Sequence, residues 1–132
     1  MDRVYLDSSV LVALLAREQD WVDWERQVEE ASQRYTSPVT MAETVMVLSS
    51  LLDNDPTVSE RVLLAALNQY GVETLPATRA TAAIAIRAFS QFGKGRHPAR
   101  LNLGDCFSYA CAKEHGLRLL YKGADFAQTD LA

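Results

Sequence analysis

Arg3-Val4-Tyr5-Leu6, then Asp7-Ser8-Ser9, then Val10-Leu11-Val12-Ala13-Leu14-Leu15-Ala16 is the stretch whose reading decides the architecture. A short apolar run, a tight polar turn and a mostly apolar helix form the opening of a parallel α/β unit. In such a sheet, ligands bind outside the carboxyl ends of the strands, which is where Asp7 stands. The same alternation continues along the chain. Trp21, Trp24, Val28 and Ala31 recur at helical spacing, and Tyr35 to Ser37 reads as a second strand. Pro38 opens a helix running through Met41, Val45 and Leu48 to Leu52. After the turn Asp53-Asn54-Asp55-Pro56, a helix carries Val58, Val62, Ala66 and Tyr70 on one face. Val72 to Leu75 is the third strand, Ala77 to Phe92 an alanine-rich helix, Leu103 to His115 another helix, and Leu117 to Tyr121 the fourth strand.

Size and composition narrow the classes. The 132 residues predict one domain spanning 1–132, and the 48% hydrophobic content excludes a disordered chain. No apolar run reaches the roughly 18 to 20 residues that cross a bilayer, and no basic segment precedes an apolar one at the start. A soluble, cytoplasmic protein with no membrane partner is therefore expected. Cys106 and Cys111 are five apart in one helix, so they face different ways and read as small buried hydrophobes. The formal charge of −4 argues against a general nucleic-acid binder. Charge is uneven, however, because Lys94, Arg96, His97 and Arg100 cluster in a loop containing Gly93, Gly95 and Pro98.

Four acids occupy odd positions. Asp7 ends an apolar strand, Glu43 lies inside an apolar helix, Asp105 sits in the first turn of a helix of apolar and small residues, and Asp125 follows the last strand. Asp105 has an ordinary use, since with Asn102 as N-cap it stands at N3, where an acid bonds back to the cap. Asp7 or Ser8 can likewise cap its helix. Four separate coincidences are a poorer account than one site for a divalent cation, which relieves the repulsion of converging carboxylates. Mg²⁺ suits such oxygen ligands, and a cation there supports phosphodiester hydrolysis with no serine, cysteine or histidine triad. Ser8 and Ser9 read as hydrogen-bonding support for Asp7, and Thr129 with Asp130 either supports Asp125 or caps a final turn. The basic loop, through Lys94, Arg96, His97 and Arg100, is placed to hold a polyanion beside the acids.

The leader Val4-Tyr5-Leu6-Asp7-Ser8-Ser9-Val10-Leu11-Val12-Ala13, the Ala42-Glu43 helix, the block from Gly93 through Asn102-Leu103-Gly104-Asp105-Cys106 to Ala110, and Tyr121-Lys122-Gly123-Ala124-Asp125-Phe126-Ala127-Gln128-Thr129-Asp130 together resemble the PIN domain of VapC toxins. The resemblance spans nearly the whole chain, and its middle block is the most specific part. It implies an α/β three-layer sandwich with a central parallel sheet of four or five short strands. It further implies an endoribonuclease dependent on Mg²⁺ or Mn²⁺, the toxin of a type II toxin-antitoxin pair, commonly a homodimer held inactive by a VapB-type antitoxin. The family's catalytic, metal-binding acids fall on Asp7, Glu43, Asp105 and Asp125. Ala124 departs from the pattern, because related sequences often carry a second acid there.

Two other classes compete. A phosphatase or phosphoacceptor built on Asp7 would have a second acid two residues on, where this chain has Ser9. A PIN-fold subunit that binds RNA or protein without cutting would have little reason to keep a self-repelling pocket.

Overall fold

Val4 and Leu6 are fully buried against one set of helices and Tyr5 against another, so the first strand is covered on both faces. The computed structural model describes residues 2–132. Strand β1 (Arg3–Leu6) is followed by α1 (Ser8–Leu15), α2 (Trp21–Glu30), β2 (Gln33–Thr36), α3 (Pro38–Leu52), α4 (Pro56–Gln69), β3 (Val72–Thr74), α5 (Arg79–Phe92), α6 (Leu103–His115) and β4 (Arg118–Leu120). All pairings are parallel and the strand order is β3-β2-β1-β4. The chain builds outward from β1 to β3, then returns to add β4 on the other side of β1. That reversal opens a crevice at the carboxyl ends of β1 and β4, the favoured place for a ligand site.

The architecture is the expected three-layer α/β sandwich with four strands. On one face Tyr5 and Leu119 pack with Ala85, Ala88 and Phe92 of α5 and with Cys106, Tyr109 and Ala110 of α6. On the other, Val4, Leu6 and Leu120 pack with Val10, Leu11 and Leu14 of α1, Val28 of α2, and Leu63 and Leu67 of α4. The register Tyr5↔Leu119 and Leu6↔Leu120 keeps both strands in phase, as the two-residue repeat of a strand requires.

Element boundaries differ from the sequence reading by a few residues, each for a local reason. Helix α1 starts at Ser8 because Asp7 already accepts the Ser9 N–H as N-cap. Helix α5 starts at Arg79 because Thr78 and Thr81 form a reciprocal capping box. Strand β2 begins two residues early, at Gln33, where the polar pair Gln33-Arg34 gives no strand signal. Arg34 accounts for that: its Nε donates to the Val28 carbonyl at 2.5 Å, Nη1 to Tyr70 at 3.1 Å, and Nη2 to Glu29 at 2.9 Å and Ala31 at 3.0 Å. One guanidinium thus satisfies carbonyls left open at the ends of α2 and α4.

Among the described residues no helix is long and apolar enough to cross a membrane. Arg34→Met, which keeps the apolar stem and removes the donors, should lower the unfolding free energy by about 2 kcal/mol. Urea titration followed by circular dichroism measures it. A loss under about 0.5 kcal/mol would mean that solvent replaces the guanidinium at those carbonyls.

Candidate active site

The first acid is built into the end of the central strand. Asp7 is 4% exposed, and both its carboxylate oxygens are occupied. Oδ2 accepts the Ser9 hydroxyl at 2.6 Å and the Ser9 N–H at 3.1 Å, while Oδ1 accepts the Ser108 hydroxyl at 2.6 Å. Asp7 is therefore the N-cap of α1 and is held from α6 as well. Ser9 has a second task, accepting the Lys122 N–H at 2.9 Å just beyond β4. Lys122 in turn reaches Glu18 and Asp20 with its ammonium, each at 2.9 Å, tying the α1–α2 connection to the segment that carries Asp125.

Behind Ser108 lies a buried chain of hydroxyls. Ser108 Oγ is 3.3 Å from Thr40 Oγ1, which is 2.7 Å from the Tyr5 hydroxyl, itself 2.6 Å from Ser37 Oγ. All four side chains are buried and partnered. Burial drives the Tyr5 phenol well above its ordinary range, so it stays a proton donor within the chain. This network joins β1, α3 and α6 around Asp7.

Glu43 stands half-buried on α3 with Oε1 accepting the Ser8 hydroxyl at 2.7 Å. Burial raises its pKa, and the charges of Asp7 and Asp125 add to the rise. Its carboxylate lies directly over Gly104: a β-carbon there would stand 2.1 Å from Glu43 Oε2. The neighbouring Asp105 is 7% exposed. Its Oδ2 accepts the Asn102 N–H at 3.1 Å while Asn102 Oδ1 accepts its own N–H at 2.9 Å, the capping box that the spacing predicts. Burial pushes the Asp105 carboxyl up to about 7, helped by the charges of Asp125, Asp7 and Glu43 and opposed by the bond from Asn102. Asp125 is exposed in a turn after β4, next to Phe126, whose buried ring meets Tyr121 edge-on at 5.1 Å.

Glu43 and Asp105 thus both feel the charges of Asp7 and Asp125. Among the described residues, however, no three acidic, histidine or cysteine side chains are gathered so as to hold a metal ion as they stand. Of the supporting residues, Ser9 serves Asp7, Ser8 serves Glu43, and Thr129 donates to the Phe126 carbonyl at 2.8 Å, closing its own turn. In the basic loop, Lys94 and Arg100 line a cleft shared with Asp125. Arg96 lies over the Phe89 ring at 5.4 Å and His97 packs edge-on to Phe92 at 5.1 Å. Sequence reasoning missed Ser108, Gly104 and the Thr40–Tyr5–Ser37 chain. Ser108 stands three residues after Asp105, one helical turn on, and that spacing was its only signal.

Residues 4–131 match the family model described as the PIN domain. A VapC ribonuclease of Rhizobium meliloti (strain 1021) is 37% identical, the match spanning 96% of this chain and 98% of that protein. Ribonuclease VapC30 of Mycobacterium tuberculosis is 39% identical, across 96% of this chain and 95% of its own length. Among solved structures, Mycobacterium tuberculosis VapC20, described as a sarcin-ricin loop cleaving toxin, superposes with a TM-score of 0.77 at 16% identity, covering 98% of this chain and 96% of that one. A toxin-antitoxin complex from Klebsiella pneumoniae gives a TM-score of 0.72 at 18% identity, covering 97% and 93%.

The raised carboxyl of Asp105 makes a stability prediction. Its ordinary value is 3.8 and its folded value about 7, so between those limits the folded chain binds a proton that the unfolded chain lacks. In metal-free buffer its contribution to stability is present below pH 3.8 and lost as pH rises to 7. Asp105→Asn should therefore melt at a temperature that exceeds wild type by a margin growing from pH 4 to pH 7.5. A margin independent of pH would show that Asp105 does not titrate in this window.

Proposed function

The chain belongs to the PIN-domain family as a VapC-type ribonuclease toxin, and from that premise we propose that it cuts RNA within the chain, using Mg²⁺ or Mn²⁺ held among Asp7, Glu43, Asp105 and Asp125. The observation that carries this reading is the burial of two carboxylates, Asp7 at 4% and Asp105 at 7% exposed, with the Glu43 carboxylate lying over Gly104 beside Asp105. A divalent cation offsets their charge.

The donor set fits such an ion. It is all oxygen, with no thiol or imidazole among the four acids, and Mg²⁺ keeps several waters while taking only one or two carboxylates directly. It therefore does not require three side chains already gathered around a point. When bound, the ion supplies a Lewis acid for a phosphoryl oxygen and an acidified water. Asp7 and Asp105, buried and held by hydrogen bonds from Ser9, Ser108 and Asn102, are the residues that would grip it. Glu43, with Oε1 held by Ser8, offers Oε2 to receive the proton of the attacking water. Asp125, exposed at the mouth, stands where an RNA strand would arrive, beside Lys94 and Arg100.

The partners follow from the same reading. RNA is the substrate, and a VapB-type antitoxin is the inhibitor, most economically placing an arginine among the carboxylates, whose planar fork can pair with them and compete with the cation. The likeness to a toxin-antitoxin complex from Klebsiella pneumoniae supports a fold able to take such a partner. A homodimer is part of the proposal.

The test is incubation of purified, partner-free protein with total bacterial RNA, with and without Mg²⁺ or Mn²⁺, followed by mapping of new ends. Asp7→Asn and Asp105→Asn should each reduce metal-dependent cleavage by about a hundredfold or more while both variants remain folded. Wild-type rates in either would remove the four acids from the mechanism and favour a binding module that does not cut. Gly104→Ala provides a steric test of Glu43. Alanine suits a helix better than glycine, so stability should hold or rise slightly, by up to about 1 kcal/mol, while the added methyl displaces the Glu43 carboxylate and cleavage falls at least tenfold. Unchanged cleavage by Gly104→Ala would mean that the position of Glu43 does not matter to the reaction.

A further inference from the structure

The loop between α5 and α6 is a fixed scaffold with two unlike sides. Its base is closed by Leu101 N–H to the Phe92 carbonyl and Lys94 N–H to the Leu101 carbonyl, each at 3.0 Å. Above that, the Arg96 and His97 N–H groups both reach the Gly93 carbonyl at 2.9 and 3.1 Å, and Arg100 N–H reaches the His97 carbonyl at 3.0 Å. His97 accepts the Ala99 N–H through Nδ1 at 3.0 Å with its ring against Phe92, and Arg96 stacks on Phe89. Two of the four side chains of the basic cluster, Arg96 and His97, are thus engaged with aromatic rings of α5.

The other two point elsewhere. Lys94 and Arg100 line a polar cleft of about 430 Å³ together with Asn102, Asp125 and Gln128. Arg100 adopts the left-handed conformation, φ 56°, which costs energy in a residue other than glycine and persists only where its surroundings enforce it. The cleft is mixed in sign, lined by two cations, the Asp125 carboxylate, and the amides of Asn102 and Gln128, which both donate and accept. An anion with an attached polar, flat group is the ligand that such a lining recognises. The volume lies near the lower end of the range for sites that hold one small molecule, which suits a single nucleotide. Proteins read RNA sequence mainly on unpaired nucleotides, through hydrogen bonds to splayed bases.

We infer that this cleft is a subsite for one unpaired nucleotide beside the scissile bond, with Lys94 and Arg100 holding its phosphate and Gln128 bonding to the edge of its base. The subsite rests on the ribonuclease reading above, and it divides the basic loop: Lys94 and Arg100 touch RNA, while Arg96 and His97 shape the loop.

The experiment uses the full chain and RNA hexamers of A, C, G and U, with binding followed by fluorescence anisotropy between 50 and 200 mM KCl in chelator, where metal-dependent cleavage cannot run. Cleavage of a mixed-sequence single-stranded RNA in Mg²⁺, with ends mapped, is measured alongside. Lys94→Ala and Arg100→Gly, the latter chosen because glycine tolerates the left-handed backbone, should each weaken all four hexamers several-fold. Each should also reduce the salt slope by about 0.7, the value for one phosphate contact on a single strand. Gln128→Ala should keep the slope and change the nucleotide preferred at one position next to the cut. Arg96→Ala, which removes a packing contact and no phosphate contact, should lower the salt slope by much less than Arg100→Gly does. A slope loss in Arg96→Ala equal to that in Arg100→Gly, or an unchanged preference in Gln128→Ala, would overturn the subsite while leaving the nuclease intact. Wild-type protein that neither binds nor cuts any of these RNAs would overturn both.

Discussion

The carboxylate of Asp7 is the fixed point of this molecule. It ends the central strand, caps α1, and accepts hydroxyls from α1 on one oxygen and from α6 on the other. A buried carboxylate survives only if its oxygens are satisfied, so these bonds dictate how closely α6 approaches the end of β1. Ser108 can reach Asp7 because Thr40, Tyr5 and Ser37 form a partnered chain behind it. Half-satisfied, that chain would cost more than an apolar core; complete, it fixes one arrangement of β1, α3 and α6. Ser9 extends the same order to the far end of the chain through the backbone of Lys122.

The second constraint is the accumulation of negative charge on that frame. The amino ends of α1 and α6 both face acids, so helix dipoles and free backbone N–H groups offset part of the repulsion. Burial first, and the neighbouring charges after it, still raise the Asp105 carboxyl and the Glu43 pKa. The close approach at Gly104 belongs to the same economy of space: α3 and α6 come near enough for Glu43 to cover a residue with no side chain.

Much of this was legible in the residues because misfits are informative. Asp7, Glu43 and Asp105 each break an apolar pattern, and strand–helix alternation sufficed for the layers. The capping box at Asn102 and Asp105 was readable from spacing alone. What escaped was everything that depends on two distant segments meeting. Ser108 is an unremarked serine among small helical residues until Asp7, 101 positions earlier, lies against it. Gly104 signals nothing until Glu43 covers it. The opening of β2 at Gln33-Arg34 looks too polar for a strand unless the ends of α2 and α4 are known to present carbonyls to Arg34. Within the basic loop, composition could not separate cations stacked on α5 from those facing the cleft.

The position of β4 has a consequence in time. Tyr5 pairs with Tyr35 on one side and with Leu119 on the other, so one edge of the central strand is filled early in synthesis and the other much later. At about 5 to 20 residues per second, β4 follows β1 by roughly 6 to 23 seconds. Until then Asp7 lacks the strand beside it, the Lys122 backbone that steadies Ser9, and Asp125. A nascent chain folded as far as β3 holds two of the four acids and no crevice. If the four acids act as proposed, a chain assembled in this order stays inert throughout most of its own translation.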